Sequence, residues 1–313
     1  MGIFGGYMKE GPGIDKNAKK KKGIFLYFDI VFRKFMKLIS ANFAYLIVSI
    51  PFLLLAYMVL SSFVISGFGL DELISESAQA LASSAEATAE AGADAASYEQ
   101  MFYFMIRSMV TILLFNFLGS GPASAAYAYV TRCYTRGEHA WIMSDGWDKM
   151  KENLKQSVLV LIIDILVIIL GMNAIAFYTA LAGNYTGGTN MILTMAKYII
   201  FVIISLYFMM HIYIYQIMVT YECKFVNLMK SAALITLAKL PMSVLLSLIA
   251  VGGAVLLFTA LPNPVLGILI YALIGIIVMR YSMEFYAARV LEKNIKAVKK
   301  QNTAKITYTD EAL

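Results

Sequence analysis

Cysteine, histidine, tryptophan and proline are all scarce in this chain: of 313 residues two are Cys, two His, two Trp and six Pro. The cysteines and histidines form no ligand-like cluster, so neither a zinc site nor any other cofactor is expected. Cys133 and Cys223 fall on segments assigned below to the cytoplasm, where thiols stay reduced, so no disulfide is expected. The sequence carries no Walker motif, no GxSxG, no HExxH and no dinucleotide fingerprint, which argues against an enzyme. Charge is sparse as well, at 15% of residues. A net charge of +6 would suggest nucleic acid if it lay on one soluble face. Its placement points elsewhere.

What the chain has in abundance is apolar length. Sixty per cent of it is hydrophobic and the mean hydropathy is +0.72. Several apolar runs exceed the roughly 18 residues that mark a membrane-crossing helix. Six spans are expected, at about 43–66, 101–122, 157–182, 191–218, 241–261 and 264–286. The last two form a hairpin around "LPNP", whose prolines forbid one continuous helix. The fold class expected is therefore all-α: a polytopic membrane helix bundle with six transmembrane helices and interfacial amphipathic helices on the cytoplasmic side.

Lysine and arginine orient it. Residues 1–40 hold nine, 132–155 five, 219–240 three, and the segment from Arg280 onward seven, which makes 24 of the 26 on alternating segments. The two exceptions, Arg107 and Lys197, sit near expected outer helix ends, where they can snorkel. The positive-inside rule then puts both termini in the cytoplasm of a multi-pass cell-membrane protein. Residues 1–23 show neither a signal-peptide nor a myristoylation pattern, so the first span is expected to remain as an anchor. The domain reading is a basic N-terminus with an interfacial helix over 1–40, a transmembrane domain over 41–290, and a polar tail over 291–313. Within the domain, 67–100 is an alanine-rich outer insertion with seven carboxylates. It is read as a loose helical extension or disorder rather than a ligand-binding module.

Three short amphipathic helices are expected at the inner face. Residues 24–39 place Asp29, Arg33 and Lys37 on one stripe amid phenylalanines. Around 144–158, Ser144 or Asp145 caps a helix whose Trp147, Met150, Leu154 and Val158 share a face. In 224–241, Phe225, Leu228, Met229, Ala232 and Ile235 do the same. Each precedes a pair of spans and contains a Met-Lys pair, which suggests three units of interfacial helix plus hairpin.

Between them lies "GPASAAYAYVTRCYTRGEHAWIMSDGWDKMKENLKQ", residues 121–156. The apolar run from Met101 to Val130 would make about 45 Å of straight helix, longer than a bilayer core of about 30 Å. Gly121 and Pro122 should break it near the inner leaflet. Small residues after the break admit a close neighbour helix. The basic and aromatic Arg132, Arg136, Glu138, His139, Trp141, Asp145 and Trp147 then form a candidate partner surface. Glu138 and His139 are adjacent and lack a nucleophile or metal set, so capping is favoured over catalysis.

This segment resembles the characteristic stretch of the YesL-like family of bacterial membrane proteins, a family of unknown function. Gly121, Pro122, Ala123, Arg132, Glu138, His139, Trp141, Asp145, Lys155 and Gln156 fit its pattern. Gly146-Trp147 departs from it, because an aromatic usually follows the Asp directly. The opening 11–46 and "KSAALITLAKLP" resemble the family too. The resemblance implies an accessory role beside carbohydrate uptake, since members are often encoded near such genes.

Four ionisable residues, Asp164, His211, Arg280 and Glu284, fall in the inner halves of spans. In one reading they face each other in a cavity open to the cytoplasm. In the other, Asp164 snorkels, His211 bonds a neighbouring helix and Arg280 pairs with Glu284 at i,i+4. Asn116 and Asn173 are read as interhelical glue. The first functional expectation is a non-enzymatic accessory or regulatory protein. Its partners are the lipid bilayer and a membrane transporter or sensor subunit, not nucleic acid. The alternative is a small transporter or channel with a cytoplasm-facing polar cavity.

Overall fold

A computed structural model describes residues 23–87, 95–261 and 263–295, and among these residues there are twelve helices and no strand. The poly-lysine head, the tip of the alanine-rich loop, Pro262 and the tail beyond 295 lie outside the described residues. The first four helices are α1 (Ile24–Arg33), α2 (Phe35–Val48), α3 (Ile50–Gly67) and α4 (Leu70–Ala87). Next come α5 (Ala95–Phe117), α6 (Pro122–Arg136) and α7 (Ser144–Glu152). Then follow α8 (Leu154–Gly183), α9 (Gly188–Met218), α10 (Phe225–Ala238), α11 (Leu240–Thr259) and α12 (Val265–Ile295). Six of them, α3, α5, α8, α9, α11 and α12, are long and apolar enough to cross a membrane. The protein is a multi-pass membrane helix bundle.

The spans are apolar all round; some, such as α8, bury only a stripe, whereas α5, α9 and α12 are buried on nearly every side toward one end. In α8 the buried Val160, Asp164, Ile168, Met172 and Ile175 recur at helical spacing, while Ile162, Leu166, Leu170 and Phe177 face outward. Lipid tails satisfy an outward leucine as well as a neighbouring helix does, so close packing has to hold the spans together. Glycines allow it: a Cβ at Gly171 would sit 2.5 Å from Ile204, and one at Gly67 2.9 Å from the Met172 Cβ.

One end of the bundle collects α1, α7, α10, the C-terminal end of α6 and the end of α12. We term it the basic end. Here the three-unit organisation recurs in the backbone. α1, α7 and α10 are each joined to the following helix by a single residue, with φ/ψ of −110/21° at Lys34, −100/9° at Asn153 and −118/25° at Lys239. The Met-Lys pairs do not mark this register, since Met36-Lys37 follows its joint and the other two precede theirs. The joints also cut two expected stripes. Asp29 and Arg33 pair at 3.4 Å on α1, but Lys37 belongs to α2. Trp147 and Leu154 lie on opposite sides of Asn153 and both are exposed, while the residue of α7 that packs inward is Gly146. In α10 the expected face is the packed one, with Leu228 and Ala232 buried.

Helix ends differ from the sequence reading where helices run on past the apolar stretch. α2 crosses the 40/41 boundary and α12 passes 290. α5 begins at Ala95, which leaves Arg107 about 18 Å from its start rather than near its end. α4 is the helical extension, lying along α5 with Ile74, Ala78 and Ala82 buried and Asp71 Oδ1 accepting from Tyr103 Oη at 2.9 Å.

Candidate functional site

Two helices break side by side. In the first, Pro51 has no N–H to give the Ile47 carbonyl, and the helix is interrupted at Ser49 between α2 and α3. In the second, at the expected Gly121-Pro122 position, α5 ends at Phe117 and α6 starts on Pro122, whose missing N–H costs nothing in a first turn. The connection needs left-handed backbone at Gly119 (φ 76°) and Gly121 (φ 65°). A Cβ on Gly119 would lie 2.1 Å from Ser124 Oγ, so only glycine fits. The hydroxyls of Ser49 and Ser120 meet at 2.6 Å and tie the two breaks together. Ser124 Oγ accepts from the Ser120 N–H at 2.8 Å and pairs with Tyr45 Oη at 2.9 Å. Tyr45 stacks between Phe115 and Tyr127, and Tyr127 Oη donates to Asn42 Oδ1 at 2.9 Å.

Ending a helix inside the bundle leaves carbonyls without intrahelical donors. Arg280 answers this from α12, donating from Nη1 to the Asn116 carbonyl at 2.7 Å and placing its charge at the negative end of α5. Its Nη2 lies 2.8 Å from Glu284 Oε1. Glu284 Oε2 accepts from Gln216 Nε2 at 2.8 Å, and the same amide reaches the Ala128 carbonyl of α6 at 2.9 Å. Arg280 sits in a π-helical stretch, Ile277–Tyr281, a local widening that often accompanies functional sites.

A second ionisable pair bridges α8 and α9. His211 Nε2 lies 2.9 Å from Asp164 Oδ1, and Tyr207 Oη donates to the same oxygen at 2.5 Å. Tyr215 links the two pairs, with its ring 6.0 Å from that of His211 and 5.6 Å from the Arg280 guanidinium. Asp164 and His211 have no exposed side-chain surface, and Arg280 and Glu284 have 2% each. The outcome combines the two readings made from the sequence. Asp164 does not snorkel; it meets His211, and Arg280 pairs with Glu284. All four are closed off, so no cavity opens onto them. Asp164 Oδ2, His211 Nδ1 and Gln216 Oε1 are buried without a hydrogen-bond partner among the described residues. Buried polar atoms left so are costly and uncommon.

The expected surface set divides. Arg132 reaches across to donate to the Val219 carbonyl at 2.7 Å, capping the end of α9. Gly137, left-handed at φ 80°, ends α6, and the Glu138 N–H returns to the Cys133 carbonyl at 2.8 Å in a Schellman arrangement. Glu138 therefore caps through its backbone, and its carbonyl accepts from Lys34 Nζ at 3.2 Å. Burial lowers the Lys34 pKa. Asp145 Oδ2 accepts from the Trp141 N–H at 2.8 Å, fastening the loop to α7 rather than capping it. Arg136, His139, Trp141 and Trp147 are exposed, with the His139 and Trp141 rings edge to face at 4.9 Å. Asn116 is buried and its amide bonds its own helix at Ile112, with Met279 Sδ alongside at 3.5 Å. Asn173 is not interhelical glue, because it is exposed and bonds its own helix at Ile169.

Sequence reading missed Asn42, Tyr45, Ser49, Tyr127, Tyr207 and Gln216. Pro51 was the available signal for the first break, being the one proline inside the first apolar run. Comparison of the chain with protein-family models, with curated proteins and with solved structures gives no match in any of the three.

Proposed function

We propose that the chain is a small proton-linked transporter of the cell membrane, held here in a closed state. The observation that carries this is the burial of two ionisable pairs beside the α2/α3 and α5/α6 breaks, with Arg280 on the Asn116 carbonyl at the end of α5 and Tyr215 linking it to Asp164 and His211. Ionisable side chains at membrane depth are costly, and transporters place substrate and ion sites at discontinuous helices. In the proposed cycle, Asp164 takes up a proton and its hold on His211 weakens. α8 and α9 then separate at the basic end, and Arg280 and Glu284 become accessible to a small polar solute. The three units with like joints fit a fold built from internal repeats. The count of lysine and arginine puts the basic end and both termini in the cytoplasm.

The test is flux in proteoliposomes carrying an internal pH dye, with sugars, amino acids and ions offered in turn. Solute-dependent proton movement is expected in the native protein, with loss of roughly a hundredfold or more in Asp164→Asn, a size typical of a proton-transfer group. Absence of flux across the whole panel would count against the reading.

A second reading, that of an accessory subunit, rests on the exposed His139, Trp141, Met143 and Trp147 at the basic end. Through the resemblance to the YesL-like family, its partner would be a carbohydrate transporter or sensor subunit. Pulldown from native membranes would recover that partner and lose it on Glu138→Ala with Trp141→Ala; no reproducible partner would remove this reading.

A further inference from the structure

A groove of about 1090 Å³ runs between α1, α11 and α12, and none of Asp164, His211, Arg280 and Glu284 lines it. It exceeds the ~300–1,000 Å³ of pockets for drug-sized ligands. Its walls are apolar, built from Phe28, Phe32, Leu245, Ile249, Ile274 and Val278. Its polar lining is concentrated at the basic end, where Lys239 begins the third long hairpin and Arg289, Glu292 and Lys293 close α12. Arg289 holds Glu292 at 2.8 Å, while Lys239 and Lys293 have no ion-pair partner among the described residues. From Lys239 to Ile249 the wall rises about 15 Å, half of a hydrocarbon core of about 30 Å.

α1 forms the lip of this groove. Tyr27 Oη donates to the Ile277 carbonyl in the π-helical stretch of α12 at 2.8 Å. Burial pushes its pKa up to about 12, so the phenol keeps the proton it donates. The Tyr27 ring also packs on Tyr281 and Phe285. This one side chain pins α1 to α12 while Phe25, Phe28, Phe32 and Met36 stay exposed.

We propose that the groove is a binding site for one anionic glycerophospholipid of the bilayer, with its acyl chains along the apolar wall and its phosphate on Lys239 and Lys293. The match is one of charge and length together: cations at one end of the groove, then about one leaflet's depth of apolar wall. A second copy of the chain would also cover the phenylalanines but would leave the two lysines unanswered. A zwitterionic lipid would fill the wall without favouring the cationic end. The site goes beyond the transport reading and stands without it.

The experiment is native mass spectrometry of the full chain equilibrated in mixed phosphatidylglycerol and phosphatidylcholine. One retained phosphatidylglycerol per chain is expected. Lys239→Gln with Lys293→Gln should cut retention roughly thirtyfold, given about 1 kcal/mol for each of the two surface charges. Lys230→Gln, on α10 and outside the groove, should leave it unchanged. Tyr27→Phe, which frees the lip and keeps the charges, should also lower it. Equal retention of phosphatidylcholine, no retained lipid, or no effect of the paired lysine variant would overturn the proposal. So would release of the chain as a dimer that cross-links through Phe32→Cys.

Discussion

Both halves of this bundle make hydrogen bonds within a helix, such as Thr131 to Tyr127 at one end and Thr179 to Ile175 at the other, but they differ in what they add between helices. Toward the outer end little is added: Thr179, Asn173 and Thr259 bond the carbonyl four residues back, and Tyr103 donates to Asp71 across the α4–α5 hairpin. Toward the basic end the partners are far apart in sequence: Tyr127 with Asn42, Tyr45 with Ser124, Gln216 with Glu284, and Arg280 with the Asn116 carbonyl. Contacts of the first kind lose almost nothing polar when segments shift past one another. Those of the second kind are fixed in register, because each would strand a buried partner. Specificity therefore resides at the basic end, and the outer half supplies membrane-crossing length.

The sharpest way to break this contrast is to remove Arg280 alone. Arg280→Ala leaves Glu284 buried and uncompensated, and should destabilise the folded protein by about 3–5 kcal/mol in detergent unfolding. Replacing the pair together, as Arg280→Met with Glu284→Leu, should restore most of that stability, since such swaps are often near neutral. If the pair serves transport, flux stays lost in the restored protein. Next in size is Gly119→Ala, expected to cost about 1–3 kcal/mol from left-handed backbone strain, with the clash on Ser124 Oγ in addition. Tyr127→Phe removes one cross-helix bond to Asn42 and should cost about 1 kcal/mol. Smallest is Asn173→Leu in the outer half, expected within about 0.5 kcal/mol of the native protein. An outer substitution as costly as Arg280→Ala would erase the contrast.

The six spans were legible because apolar length is a one-dimensional property of the chain, readable without knowing what packs where. The Gly121-Pro122 break was legible for the same local reason. The company it keeps was not. That Ser49 lies against Ser120, or that Gln216 joins Glu284 to α6, depends on which helices adjoin, and no spacing encodes that. Asp164 and His211 stood out as ionisable residues in apolar runs, yet Tyr207, which donates to the same carboxylate, looked like any membrane tyrosine. The joints at Lys34 and Asn153 escaped because neither has a glycine or proline beside it, whereas Pro241 stands two residues after Lys239 and the fifth span was read to begin there. Their likeness exists only in the backbone angles.

The claim on which the rest depends is that the two ionisable pairs sit in a sealed core that is proposed to open during function. With Cys133→Ser and Cys223→Ser removing native thiols, Ser124→Cys places a probe at the second break, where the native side chain has no exposed surface. A membrane-impermeant thiol reagent applied to proteoliposomes from both sides should label it slowly at rest and markedly faster once a proton gradient is imposed. The acceleration should vanish in Asp164→Asn. Labelling at one unchanging rate, with or without the gradient, would contradict the account.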